Sequence, residues 1–187
     1  LAAVVAYFVV RSRWKGRAVL DFLALIPVAI PGAVIAIAMM WAYIREPFNL
    51  YHTIWIILIA YVTRFLPFAV KAVTNSITQI HEELERAAAI SGANWFTVFW
   101  KVLVPLAMPG MVAGWIILFV SMMRELSASI MLFSSNNEVI GTILIQLYDE
   151  GLFSHVSILS LIIVILSLGS VALVRWITKQ KDVGGLN

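Results

Sequence analysis

The sequence predicts an all-α protein that crosses a membrane several times. Hydrophobic residues make up 62% of its 187 positions, and charged residues make up only 12%. Soluble domains carry ~45–50% apolar and ~25% charged residues. The apolar residues also fall into long uncharged runs, close to the ~20 residues that a helix needs to cross a bilayer. These observations exclude a soluble enzyme, a disordered chain and a nucleic-acid-binding domain.

Five membrane spans are predicted, the first of them truncated. The predicted crossings are residues 1–10, 18–43, 54–73, 105–133 and 153–175. Residues 1–10 are too short to cross a bilayer, and they lack the basic n-region of a signal peptide. We therefore expect the sequence to begin inside a helix and to be the C-terminal part of a longer chain.

The charges between the apolar runs predict the orientation. Basic residues dominate the segments before the second span, around the segment after the third span and after the fifth span: Arg11, Arg13, Lys15, Arg17, Lys71, Arg86, Lys101, Arg175, Lys179 and Lys181. The other loops hold one basic residue among five charges: Arg45, Glu46, Glu138, Asp149 and Glu150. Because cytoplasmic loops are rich in Lys and Arg, the first set is predicted to face the cytoplasm.

Several kinds of chemistry are excluded by the residues that the sequence lacks. It has no cysteine, which excludes disulfides, cysteine metal sites and thiol nucleophiles. His52, His81 and His155 are dispersed, so we predict no metal site. No hydrolase motif and no Gly-rich phosphate loop occurs, so we predict no catalytic residue and no enzyme activity. The net charge of +3 comes from scattered residues, which predicts no nucleic-acid partner.

Three features within the spans leave alternatives open. Arg124 and Glu125 predict either that a helix ends at Met123 or that it continues with both charges inside the membrane. Residues 139–147 predict a short helix or a re-entrant element on the outer side, after a turn at 134–137. Pro27 and Pro31-Gly32 predict distortions within one span, serving either gating or packing.

A pair of glycines in the fourth crossing predicts a close contact between helices. Gly110 and Gly114 form a Gly-x-x-x-Gly pattern in an apolar run. The partner helix lies either in the same chain or in another half of the protein.

The polar segment 74–105 predicts a helix, a glycine turn and a second helix on the cytoplasmic side. Leu84, Ala87 and Ala88 would form the small apolar face of the first helix. Gly92 is suited to end that helix with a positive φ, and Asn94 is suited to cap the next one. The second helix would present an apolar face of Trp95, Phe99 and Val102, and Pro105 would begin the following span. The alternative is an ordinary loop at the membrane interface.

The residues of this segment resemble the EAA loop of binding-protein-dependent ABC importer permeases. The shared pattern is Glu85-Arg86-Ala87-Ala88, three residues, Gly92, nine residues, and Val102-Leu103-Val104-Pro105. Arg86 departs from the family, which usually has Glu there, and the acidic contact would then shift to Glu85. The resemblance implies a single type I ABC importer transmembrane domain (MetI-like fold) over residues 1–187, with an EAA coupling loop at 74–105.

Further residues resemble the ferric iron subgroup of these permeases: residues 25–32, 64–67, 79–81, 114–115 and 124–129. The similarity to thiamine, polyamine, phosphonate and molybdate permeases is weaker. The implied protein is the C-terminal half of a ferric iron permease in the bacterial inner membrane. It would change between inward-open and outward-open states.

The resemblance also implies the partners. The ATPase-coupling residues would be Glu85, Arg86, Ala87, Ala88, Gly92 and Pro105. They would contact a cytoplasmic ABC ATPase dimer, which uses the ATP, while this chain binds no cofactor. An extracytoplasmic substrate-binding protein would deliver the substrate. The N-terminal half of the same permease, or a second permease subunit, would complete the membrane part within the lipid bilayer.

Charged residues inside the spans are candidates for the translocation pathway. Charges in a membrane are costly and usually face a partner or a water-filled cavity. The candidates are Arg64, Arg124, Glu125, Ser127 and Ser129. The structural alternatives are that Arg64 or Arg124 neutralises Glu125 and holds helices together, or that Arg124 snorkels to the interface. A channel and a purely structural membrane subunit are the alternatives to an importer.

Overall fold

The computed structural model describes residues 1–12 and 14–184, with side chains described as far as Leu173. Arg13 and the side chains of Arg175, Lys179 and Lys181, which the predicted orientation uses, lie outside the described part. The described part is helical and contains no strand, which confirms the all-α prediction. Its helices are α1 (Ala2–Val10), α2 (Arg17–Ala29), α3 (Gly32–Tyr43), α4 (Ile54–Thr78), α5 (Glu82–Ile90), α6 (Trp95–Val98), a π-helix (Phe99–Leu103), α7 (Val104–Met123), α8 (Ser127–Leu132), α9 (Ile140–Asp149) and α10 (Phe153–Gly184).

Three helical stretches in the described residues are long and apolar enough to cross a membrane. They are Ile54–Thr78, Trp95–Met123 and Phe153–Leu173. They overlap the third, fourth and fifth predicted crossings, although their bounds differ. The α2–α3 pair provides a further crossing if the two helices are counted as one span.

The second predicted crossing, residues 18–43, is not one continuous helix. Helices α2 and α3 meet at 108°. Ile30 is extended, with φ −99° and ψ 126°, because the proline that follows it disfavours the helical conformation. Pro31 also lacks the N–H that would continue the hydrogen-bond ladder. The distortion predicted at Pro31-Gly32 is therefore a complete break, whereas Pro27 is accommodated within α2.

The fourth predicted crossing, residues 105–133, begins earlier and ends earlier than predicted. Arg124 terminates α7 with φ −99° and ψ 0°, so the helix ends at Met123, as one of the two alternatives proposed. At its N-terminal end the helical stretch continues back to Trp95. Although the helical stretch itself continues back that far, Pro105 is the second residue of α7 and lies in the first turn of that helix as predicted. A π-helical turn directly precedes it, where the missing N–H interrupts the α-helical ladder.

Helix α4 is the centre of the packing and contributes to two apolar clusters. One cluster joins α1, α4, the π-helix and α7, with Ala6, Val70 and Phe99 among its buried residues. The other joins α3, α4 and α8, with Ala36 and Ile57 among its buried residues. The same helix therefore packs in both clusters.

The Gly-x-x-x-Gly contact lies within this chain, between α7 and α4. A Cβ atom added to Gly110 would overlap Ser76 Oγ. A Cβ atom added to Gly114 would lie 2.5 Å from the Cβ of Ala72. The two glycines therefore allow the helices to approach more closely than any side chain would permit.

The turn at residues 134–137 is stabilised by a buried asparagine, a role that the sequence pattern does not indicate. Asn137 is 2% exposed. Its Oδ1 accepts from the backbone N–H of Ser134 at 2.6 Å, and its Nδ2 donates to the carbonyls of Leu132 at 3.0 Å and Thr53 at 3.3 Å. The segment after this turn is helix α9, which confirms the short helix among the two alternatives.

Candidate functional site

The first candidate site is the segment that contains α5 and α6, which the sequence predicts to be cytoplasmic, and its turn has the predicted geometry. Gly92 has φ +85°, a conformation that glycine adopts without steric cost. The N–H of Gly92 bonds to the carbonyl of Ala89, and the N–H of Ala93 bonds to the carbonyl of Ala88. This pair of bonds is a Schellman motif, which satisfies carbonyls at the end of α5. The turn directs the chain sharply into α6.

Asn94 caps α6 as the sequence predicts. Its Oδ1 accepts from the backbone N–H of Thr97 at 2.9 Å. The helix that follows packs on α1 through its aromatic side chains: the Tyr7 ring lies 5.5 Å from the Trp95 ring and 5.5 Å from the Phe99 ring, centroid to centroid. Phe99 is almost fully buried. The segment is therefore an anchored helix–turn–helix, and the alternative of an ordinary loop is wrong.

Helix α5 has no buried residue. Leu84 is 47% exposed, Ile90 is 87% exposed, and Ala87 is exposed between them. Ala88 is half-buried. The small apolar face that the sequence predicts is thus open, and it is available to another protein.

The two charged residues of the motif point in different directions. Glu85 is turned inward, since its Oε1 lies 2.8 Å from Arg11 Nε and its side chain is only 15% exposed. Arg86 is 68% exposed and pairs with Glu82 at 3.1 Å, one helical turn away. The roles expected for Glu85 and Arg86 in contacting an ATPase remain predictions, but only Arg86 lies on the open surface.

The second candidate site is an ion pair between helix α4 and the segment that connects α7 to α8. Arg64 lies near the middle of the 25-residue helix α4. Its Nε is 3.0 Å from Glu125 Oε2, and Glu125 is 8% exposed. The other carboxylate oxygen of Glu125 accepts from the backbone N–H of Ala128 at 3.2 Å, in the first turn of α8. The negative charge is therefore placed at the positive end of a helix dipole as well as beside a guanidinium.

The backbone carbonyl of Glu125 also accepts hydrogen bonds, from two side chains. Its carbonyl accepts from Tyr61 Oη at 2.9 Å and from Ser129 Oγ at 3.0 Å. Ser129 is fully buried. The sequence does not single out Tyr61 as a site residue. The signal that could have identified it is its position on α4, one helical turn before Arg64.

The break between α2 and α3 brings Gly32 against this ion pair. A Cβ atom on Gly32 would overlap the Arg64 guanidinium and would lie 3.2 Å from Glu125 Oε1. The start of α3 therefore closes over the pair. Three helices, α3, α4 and α8, meet at one buried charge pair.

The five pathway candidates do not form one group. Arg64, Glu125 and Ser129 are brought together, while Arg124 and Ser127 are exposed. Arg64, and not Arg124, is the partner of Glu125. This arrangement is the one expected from the structural alternative, in which a basic residue neutralises Glu125. A role of these residues in translocation remains a prediction.

The described residues contain no cluster of three or more His, Cys, Asp or Glu side chains that could hold a metal ion. The charged groups of the second site are instead a paired carboxylate and guanidinium. Their chemistry suits holding helices together more than binding a free cation.

Comparison with known proteins places this fold in a family. The family model described as "Binding-protein-dependent transport system inner membrane component" matches residues 1–182. The Fe(3+)-transport system permease protein FbpB 2 of Haemophilus influenzae is 32% identical over 108 residues, covering 58% of this chain and 21% of that protein. The ferric transport system permease protein FbpB of Actinobacillus pleuropneumoniae is 25% identical, covering 93% and 25%. The chain thus spans about a fifth to a quarter of these ferric relatives.

A relative with another named substrate aligns over more of its own length. The spermidine/putrescine transport system permease protein PotC of Escherichia coli K12 is 27% identical over 184 residues, covering 98% of this chain and 68% of that protein.

Two solved structures confirm the fold that the resemblance implied. The inward-facing MetNI methionine ABC transporter superposes with a TM-score of 0.70 at 19% identity, over 100% of this chain and 85% of that chain. A bacterial ABC transporter that imports the polysaccharide alginate superposes with a TM-score of 0.75 at 14% identity, over 96% and 71%. At these identities the likeness shows the fold alone: a type I ABC importer transmembrane domain.

Proposed function

Since the chain belongs to the family of binding-protein-dependent transport system inner membrane components, we propose that it moves ferric iron across the bacterial inner membrane in a complex driven by a separate ATPase. The observation that carries the coupling part of this proposal is helix α5. It is anchored to the spans through the turn at Gly92 and the aromatic contacts of α6, yet its own apolar face is open.

The partner proposed for α5 is a cytoplasmic ABC ATPase dimer. Leu84, Ala87 and Ile90 offer apolar surface, and Arg86 offers a positive charge beside it. ATP would be bound and hydrolysed by that dimer, since the sequence has no phosphate-binding loop. A substrate-binding protein on the outer side and a second permease half would complete the assembly.

For the substrate, ferric iron is the first candidate and a polyamine is the second. The ferric relatives include the match at 32% identity, whereas the polyamine relative is covered over 68% of its own length. Both named substrates are multiply charged cations. Thiamine, phosphonate and molybdate are further candidates from the sequence resemblance. A channel or a purely structural subunit would not require the exposed helix–turn–helix.

For the pathway, we propose a division among the five candidate residues. Arg64, Glu125 and Ser129 would fix the helices that border the pathway, because Arg64 pairs with Glu125 and Ser129 donates to the carbonyl of Glu125. Arg124 and Ser127 are the two whose exposed side chains are free to meet a substrate.

The substrate proposal is tested with the complete permease, its ATPase and its binding protein in liposomes. We expect ATP hydrolysis to rise when the binding protein is loaded with Fe³⁺, compared with the empty protein. Parallel samples contain thiamine, spermidine, phosphonate or molybdate. Stimulation by spermidine alone would keep the importer and replace the substrate. If no ligand stimulated a well-assembled complex, the importer proposal itself would be contradicted.

Gly92 provides a test of coupling that does not depend on the substrate. In Gly92→Ala the turn must hold a side chain at φ +85°, which costs roughly 1 kcal/mol, although no atom lies within 4 Å of the added Cβ. We expect the tilt of α5 to change and binding-protein-stimulated ATP hydrolysis to fall severalfold. Gly92→Asp adds a charge at this turn, and the loss should be greater.

Gly151 is a matched control for this backbone effect. It has φ +74° and open space around it, but it lies in the turn between α9 and α10. Gly151→Ala therefore introduces the same kind of strain away from the coupling segment. Equal losses in Gly92→Ala and Gly151→Ala would contradict a specific role for the cytoplasmic turn.

A further inference from the structure

Arg11, at the end of α1, makes more polar contacts than it would need if its positive charge served only to orient the chain in the membrane. Its side chain is only 10% exposed. Nε lies 2.8 Å from Glu85 Oε1, and Nη1 lies 3.3 Å from Glu82 Oε1. Nη2 donates to the carbonyl of Ile77 at 3.1 Å and also to the carbonyl of Ile80. One guanidinium thus contacts the end of α4 and the beginning of α5.

The electrostatics of this cluster are favourable on both sides. The carbonyl of Ile77 lies in the last turn of α4, where the helix dipole is negative, and the carbonyl of Ile80 follows two residues after the helix ends. Glu82 and Glu85 lie in the first turn of α5, where acidic side chains are stabilised. A guanidinium has five donors in a planar fork, so it can bond to several acceptors at once in a fixed geometry.

The cluster is also the main polar attachment of α5 to the spans. Because α5 has no buried residue, apolar packing contributes little to fixing its position. Its C-terminal end is positioned by the turn at Gly92 and its N-terminal end by Arg11. Both ends must be held if α5 is to move together with α1 and α4.

We propose that Arg11 is the positioning residue that transmits displacement of α5 to α1 and α4. This inference rests on the proposed function, in which an ATPase moves α5. It assigns Glu85 to an attachment inside the subunit, and it leaves Leu84, Arg86 and Ile90 as the surface for the ATPase.

The first test measures coupling in the complete complex in liposomes, as transported substrate per ATP hydrolysed. In Arg11→Gln we expect assembly and basal ATP hydrolysis to persist, while the coupling ratio falls about fivefold or more. Arg11→Lys should lie between wild type and Arg11→Gln, because an ammonium keeps the charge but not the fork. A merely structural residue would lower assembly and leave the ratio per assembled complex unchanged.

Lys15→Gln is the matched control, since Lys15 is exposed and belongs to the same cytoplasmic connection. It removes one positive charge without touching the cluster. An equal loss in Lys15→Gln would mean that charge near the membrane, rather than the Arg11 contacts, sets the ratio. A wild-type ratio in Arg11→Gln would overturn the inference while leaving the importer proposal intact.

A second test needs no transported substrate, so it distinguishes failure of this inference from failure of the proposed function. The sequence has no cysteine, so spin labels can be attached at Ile90→Cys on α5 and Asn75→Cys on α4, both exposed positions. We expect one narrow distance distribution with native Arg11 and a distribution at least twice as broad in Arg11→Gln. Identical distributions would overturn the inference, whatever the substrate of the complex is.

Discussion

Glu125→Gln is expected to lower the free energy of unfolding of the complete permease by roughly 3 kcal/mol, the lower end of the range for breaking a buried ion pair. The glutamine can still accept from the N–H of Ala128, but it leaves the Arg64 guanidinium without a counter-charge. The lower end applies because the Arg64 side chain is 27% exposed and therefore partly hydrated. The measurement is thermal or denaturant unfolding in detergent.

A second ion pair on the same helix serves as the control. Lys71 of α4 pairs with Asp21 of α2 at 3.2 Å, and both side chains are substantially exposed. Asp21→Asn should cost less than about 1 kcal/mol. Comparable losses in Asp21→Asn and Glu125→Gln would show that burial does not determine the effect.

The double variant separates the pair from its surroundings. If Arg64 and Glu125 interact as the geometry indicates, Arg64→Gln combined with Glu125→Gln should cost clearly less than the sum of the single changes. Additive losses would contradict the pairing.

The same variants also decide between a structural tie and a place in the pathway. If the pair only holds α3, α4 and α8 together, Glu125→Gln and Glu125→Ala should reduce the amount of assembled permease but not the uptake rate per assembled complex. A loss of rate per complex, with assembly preserved, would place Glu125 in the path of the substrate.

The sequence predicts the geometry of the α5–turn–α6 segment well because this geometry is determined locally. Gly92 and Asn94 act on residues within three or four positions, through a Schellman motif and a helix cap. Such signals depend on the chemistry of single residues and on short spacing. The sequence also restricts the end of α7 to two alternatives, because the charged residues Arg124 and Glu125 directly follow Met123.

The long-range contacts could not be predicted in the same way. The sequence marks Arg64 and Glu125 as costly charges, but their pairing depends on how α4 packs against the connection between α7 and α8. Arg11 was interpreted only as a topology signal, although it meets Glu82 across 71 positions of sequence. No periodicity within one helix reports which side chain of another helix lies opposite. Pro31 likewise predicted a distortion, but the angle of 108° depends on what α2 and α3 pack against.

Gly114→Ala is expected to destabilise the permease by about 1–2 kcal/mol, although alanine is the better helix former. The added methyl would lie 2.5 Å from the Cβ of Ala72, which has no rotamer to move to. The α4 and α7 backbones must therefore separate, and overpacking of this kind costs ~1–3 kcal/mol. The gain in helix propensity, up to ~1 kcal/mol, offsets only part of that cost. Unfolding in detergent measures the difference.

Gly110→Ala is the control within the same motif, because its neighbour across the interface can respond. The added methyl would meet the hydroxyl of Ser76, which can rotate away by giving up its hydrogen bond to the carbonyl of Ala72. It would also lie 3.0 Å from the Cβ of Ser76, so the two helices must still shift by a few tenths of an ångström. Its net cost should therefore be smaller than that of Gly114→Ala. Ala72→Gly should in turn restore stability to Gly114→Ala, because it removes the atom that the new methyl meets. Equal losses of stability in Gly110→Ala and Gly114→Ala would contradict the explanation that these glycines set the distance between α4 and α7. The absence of a rescue by Ala72→Gly would contradict it as well.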